Sequence, residues 1–136
     1  MSCPDCGGDV VVVFAVPPAI REYAPADEAA ICVDCLAVHP IADLDVAAEE
    51  VADATIPADA DFSALDPACP DGRAGVAFAL ALGKLDSLAL NREAITELLE
   101  YAETAGADVF LALDRLEAPD ADVDLDRRAA QLRELL

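Results

Sequence analysis

Residues 1–18 read MSCPDCGGDVVVVFAVPP. Two thiols separated by two residues open the stretch, a glycine pair follows, and a β-branched run from Asp9 to Val16 ends at a double proline. Thiols that close imply a metal site, a redox site or a disulfide, and each makes a different demand on the rest of the chain. The partner stretch is Cys32-Val33-Asp34-Cys35, with twenty-five residues between the pairs. Two such pairs supply four thiolates, the set that tetrahedral Zn²⁺ takes at about 2.3 Å per Zn–S bond. The expected metal ligands are therefore Cys3, Cys6, Cys32 and Cys35.

Local chemistry separates the alternatives. A redox Cys-x-x-Cys follows a strand and opens a helix, whereas Cys3 has no strand before it and a glycine pair plus a strand after it. A rubredoxin-like iron site uses the same spacing, and spacing alone leaves zinc and iron open; the scarcity of aromatic residues favours zinc. Gly7 and Gly8 supply unusual backbone angles after the first pair. The second pair is followed by Leu36 and Ala37, a less ideal turn. His39 lies four positions after Cys35 and is surplus to a four-sulfur set, so a structural role beside Pro40 is expected. Cys69, in PACPDG, reads as a small half-buried apolar residue.

Around the second pair, Ala29–Val33 and the LAVHPI segment are short strand candidates, the latter interrupted by Pro40. About 45 residues with so few large side chains bury too little area to fold unaided. A structural zinc contributes about 10–16 kcal/mol, coupled to folding. The expected organisation is a zinc ribbon at 1–45, an acidic Pro/Ala-rich connector at 46–72, and a four-helix unit at 73–136. Within the connector a short helix at Val46–Ala52 is expected, with Phe62 and Leu65 as anchors onto the core.

The last stretch carries helical periodicity. Asp71 is placed to cap a helix from Arg73 to about Leu88 that is apolar almost all round, the mark of a central helix. Asn91 is placed to cap the next, with Ile95, Leu98, Leu99 and Ala102 on one face and Gly106 at its end. Asp108 starts a third, carrying Val109, Leu113 and Leu116 before Pro119. A fourth begins near Asp124, with Leu125, Ala129, Leu132 and Leu136 on its apolar side. The class expected is α+β, a small antiparallel sheet followed by a helical bundle.

Composition narrows the function. Net charge is −20 over 136 residues, lysine occurs once, at Lys84, and no lysine or arginine lies between Arg21 and Arg73. Dispersed acid with little lysine suits molar salt, where the Debye length falls to about 3 Å and self-repulsion is screened, so a halophilic source is expected. The same charge opposes direct nucleic-acid binding. Val10–Val16 is too short to span a membrane, and Lys84 and Asp86 interrupt the apolar stretch around 76–90. With no basic leader region, a cytoplasmic protein is expected, and there close cysteines favour metal over disulfide.

No catalytic residue is expected. A four-thiolate zinc is coordinatively closed, Ser63 and Ser87 lack a nucleophile context, and no phosphate-binding glycine loop occurs. The expectation is a non-enzymatic zinc protein that works through protein–protein contacts. The alternative is an accessory factor of the ribosome or transcription machinery, for which Arg127, Arg128 and Arg133 would have to start a basic patch.

Cys3-Pro4-Asp5-Cys6-Gly7 resembles the knuckle of small CPxCG-type zinc-finger proteins common in haloarchaea. The longer pattern MSCPDCGGDV, CVDCLAVHP, LDSLALNREAI and ADVFLALDRL resembles an uncharacterised haloarchaeal family with an N-terminal zinc ribbon. That resemblance implies metal ligation by Cys3, Cys6, Cys32 and Cys35 and no assigned activity. The second knuckle lacks the CPxCG form.

Overall fold

The computed structural model describes Cys3, Gly7 and residues 11–44, 60–116 and 125–135. The helix expected at Val46–Ala52 and the side chain of Cys6 lie outside them. The class is α+β. Three antiparallel strands, β1 (Val11–Ala15), β2 (Glu28–Cys32) and β3 (Val38–Pro40), form a sheet in the order β1-β2-β3. Four α-helices follow: α1 (Gly72–Leu82), α2 (Leu88–Thr104), α3 (Val109–Arg115) and α4 (Leu125–Leu135).

The sheet separates two clusters, and the period of two along each strand decides which residue joins which. Val12, Phe14 and Val16, with Ala29 and Ile31 of β2 and Val38 of β3, meet the helices. Val11 and Val13, with Ala30 and Cys32, meet a smaller cluster on the other face that includes Cys3, Cys35, Ile41 and Leu44. The β-branched run is thus divided residue by residue between two environments.

On the helical side α1 is the centre. Every residue from Ala74 to Leu82 is buried, and α1 packs most extensively against α2. The face of α2 that it meets is Ile95, Leu98, Leu99 and Ala102, all buried, as the spacing predicts. α3 contributes Val109, Ala112 and Leu113, and α4 contributes Ala129 and Leu132. Arg133 of α4 forks both oxygens of Asp114 at 2.9 and 2.8 Å and lies over the Phe110 ring, 5.2 Å from its centre. That pairing joins α4 to α3 across the solvent side.

Three helix boundaries differ from the sequence expectation for local reasons. α1 ends at Leu82, six residues before Leu88, because the chain turns at Gly83, where a Cβ would lie 2.6 Å from Val38 Cγ2. The turn lets β3 approach the helix end. α2 begins at Leu88 but loses helical geometry at Asn91 (φ −111°, ψ 15°). There the Asn91 side chain donates back to the Ser87 carbonyl at 3.2 Å instead of accepting from the helix. Asp71 precedes α1, yet its carboxylate accepts from the Phe62 N–H at 3.0 Å rather than from the first turn.

That last bond closes the end of the connector. Gly72 N–H donates to the Ala60 carbonyl at 2.8 Å, so residues 60–72 fold back on themselves. Phe62 is carried to the centre, fully buried, with its ring tilted against Phe14 at 5.5 Å. The phenyl edge occupies the space above Gly75, where a Cβ would lie 2.4 Å from it and 2.3 Å from the Pro70 carbonyl oxygen. Phe62 and Leu65 are the anchors the sequence suggests, Phe62 within the core and Leu65 against its margin. Among the described residues no polar or charged side chain is buried.

Candidate metal centre

The sulfurs of Cys3, Cys32 and Cys35 all lie within 4.8 Å of one another on the sheet face that turns away from the helices. Each arrives by a different route. Cys32 is the last residue of β2, opposite Val11, and is fully buried. Cys35 sits in the turn that joins β2 to β3 and is partly exposed. Cys3 comes from the segment before β1 and is 2% exposed, so residues twenty-nine apart meet beneath the hairpin. The fourth expected ligand, Cys6, is not among the described residues.

The described ends of the two cysteine segments share two backbone features. Gly7 N–H donates to the Cys3 carbonyl at 2.9 Å, and Leu36 N–H donates to the Cys32 carbonyl at 3.0 Å. Each donor is four residues beyond the first cysteine of its pair, and each has positive φ, 75° at Gly7 and 65° at Leu36. Glycine adopts that conformation freely, whereas a leucine there costs about 1–2 kcal/mol. Leu36 is 2% exposed and packs into the helical core, so its burial offsets the strain. The sequence marks Leu36 as a poor turn residue; its second role, pinning the cysteine turn to the core across the sheet, is visible only in three dimensions.

The residues fit a metal. Cys3 Sγ and Cys35 Sγ are 3.6 Å apart, close to the edge of about 3.8 Å that a tetrahedron of Zn–S bonds requires. Two thiolates at that separation repel by roughly 4–5 kcal/mol at an effective dielectric of 20. Full ionisation of the cluster therefore calls for a cation to offset that repulsion, the more so among the apolar Val11, Ala30, Ile41 and Leu44. Among the described residues no disulfide joins the cysteines.

His39, set aside in the sequence reading, stands at the edge of this site. It pairs with Ala30 in the sheet, which puts both on the cysteine face, and its Nε2 is 4.0 Å from Cys3 Sγ. It is not one of the three groups that mutually approach within 4.8 Å. The sequence signal for it is alternation, since Val38 faces the helices and the next residue must face the other way. Using that signal requires the β2–β3 register, which is a long-range fact.

Cys69 belongs elsewhere. It is 5% exposed within the helical core, more deeply buried than the half-buried residue the sequence suggests. Burial, reinforced by the charge of Asp66, pushes its thiol up to about 12, so it stays protonated and a poor nucleophile near neutrality. Of the three arginines that had to begin a basic patch, Arg133 is held by Asp114 and Arg128 donates to Gln131 Oε1 at 2.8 Å. No helix among the described residues is long and apolar enough to cross a membrane.

No curated protein and no solved structure matches the chain significantly. A family model does match, over residues 2–136, nearly the full length and both halves of the architecture described above. The chain belongs to that family, a family of unknown function designated DUF6276.

Proposed function

We propose that the chain is a non-enzymatic protein with a structural zinc site made by Cys3, Cys6, Cys32 and Cys35, and that it acts through contacts with other proteins. The observation that carries the metal reading is the meeting of the Cys3, Cys32 and Cys35 sulfurs within 4.8 Å on one sheet face. Cys6 completes the set in this reading on its Cys-x-x-Cys spacing from Cys3, the pattern by which one knuckle supplies two thiolates. Zinc in such a set supplies structure: it neutralises thiolate charge and ties the segment before β1 to the β2–β3 turn. Four-sulfur coordination leaves no position for a substrate or an activated water. On this reading the ribbon is residues 1–45, the connector 46–72 and the helical unit 73–136, in a cytoplasmic protein of haloarchaeal, CPxCG-type descent.

Support for a binding role comes from the surface. Leu90 is 88% exposed and Leu111 46% exposed, large apolar side chains on a chain of net charge −20. At molar salt, where charge steering is screened, covering such side chains at a contact contributes in proportion to the apolar area removed from water. The deciding experiment has two parts. Elemental analysis of the purified full chain should return one zinc per molecule, and none for a Cys3→Ser/Cys32→Ser variant. Affinity capture at high salt should then recover a stoichiometric protein partner that a Leu90→Asp variant loses. A metal-free wild-type chain defeats the first part, and a loaded chain that captures nothing defeats the second.

A further inference from the structure

We propose that His39 is a positioning residue for the metal centre, donating its Nε2–H to the Cys3 sulfur and strengthening metal binding without ligating the ion. The inference rests on the zinc reading above and adds to it a residue that the four-cysteine set does not contain.

Three observations carry it. His39 Nε2 lies 4.0 Å from Cys3 Sγ, the outer range for a donor to sulfur, and pairing with Ala30 fixes the ring's strand on the cysteine face. His39 falls outside the described group of three sulfurs that mutually approach within 4.8 Å, while its Nε2 comes within 4.0 Å of one of them. Of the three described cysteines at the site, Cys3 also has the least support from regular structure. Cys32 ends a strand and Cys35 lies in the turn of a hairpin, whereas Cys3 precedes β1 and belongs to no element.

The chemistry follows from charge. Four thiolates around Zn²⁺ leave a net charge of −2, and an N–H directed at one sulfur withdraws part of that charge and orients the ligand. A ligating histidine would act differently, replacing one sulfur and changing the electronic environment of the metal. Groups that orient a ligand from outside the coordination set typically change metal affinity by 10- to 100-fold. The long separation here places the expected effect near the lower end.

The test is competitive titration of full-length wild type, His39→Ala and His39→Gln with Zn²⁺ against a chromophoric chelator, alongside absorption spectra with Co²⁺ as the probe metal. Far-UV circular dichroism of the loaded proteins checks that each variant folds. His39→Ala should bind one zinc about tenfold more weakly, and its Co²⁺ spectrum should stay that of a four-sulfur site. His39→Gln, which keeps an N–H donor at similar reach, should recover most of the loss. Unchanged affinity in His39→Ala overturns the proposal, as does a wild-type Co²⁺ spectrum of three sulfurs and one nitrogen that changes on substitution. A wild-type chain that takes up no zinc removes the metal reading itself, a result distinct from either.

Discussion

The two faces of the three-stranded sheet are held by different chemistry. On the helical face, Phe14, Ile31 and Ala29 are fully buried against α1, α2 and the Phe62 ring, and a continuous apolar core runs through to α4. Among the described residues the buried set on the other face is Cys3, Val11, Ala30 and Cys32, with Val13, Cys35, Ile41 and Leu44 partly buried. Hydrophobic stabilisation scales with apolar area removed from water, at about 25 cal/mol per Å². Alanine, valine and cysteine bring little of it. The first face is built on large buried apolar side chains, and the second gathers three sulfurs among described residues that bury little apolar area. A single β-branched run serves both because alternate residues face opposite ways.

The comparison predicts effects that separate by face. Phe62→Ala removes the ring that seats on Gly75 and Phe14, and should cost about 3–5 kcal/mol in denaturant unfolding. Zinc stoichiometry measured below the unfolding transition should stay unchanged; its loss would mean that the faces do not act separately. Cys32→Ser acts in the opposite sense. If four ligands share a binding free energy of about 10–16 kcal/mol, losing one costs about 3 kcal/mol, or more than a hundredfold in zinc affinity. Chelator competition measures this directly, and wild-type affinity would place the metal elsewhere.

Leu36 tests the link between the faces, since its backbone belongs to the cysteine turn and its side chain to the helical core. Leu36→Ala and Leu36→Gly lose the same packing, but only glycine relieves the positive φ. The glycine variant should therefore be more stable than the alanine variant by about 1 kcal/mol, the reverse of the usual order. Smallest is a pH effect on the helical face. The Cys69 thiol is raised from an ordinary value near 9 to about 12, so the folded state favours the protonated form. Its contribution is complete below the unfolded value and falls as pH rises through the window between the two. From pH 8 to 9.5, wild type should lose up to about 1 kcal/mol more than Cys69→Ala in matched unfolding curves.

Much of this was legible in the sequence because local pattern carried it. The β-branched run gave β1, the period of the apolar residues gave the buried face of α2, and the Cys-x-x-Cys pairs include Cys3, Cys32 and Cys35, whose sulfurs gather. What the sequence hid depends on contacts between distant segments. Asp71 has the composition of a helix cap, yet it serves Phe62, nine residues back, because residues 60–72 fold back on themselves. Leu36 looks like a poor turn residue until its side chain is followed into the core. His39 looks surplus until the sheet register sets it on the face that carries Cys3.

The most direct test of the account is amide hydrogen exchange on the full chain, with zinc bound and after chelation. Chelation should greatly speed exchange at the Gly7 and Leu36 amides, which donate to the Cys3 and Cys32 carbonyls, while the Leu98 and Leu99 amides of α2 keep their protection. Equal protection of the Gly7 and Leu36 amides with and without metal would contradict it.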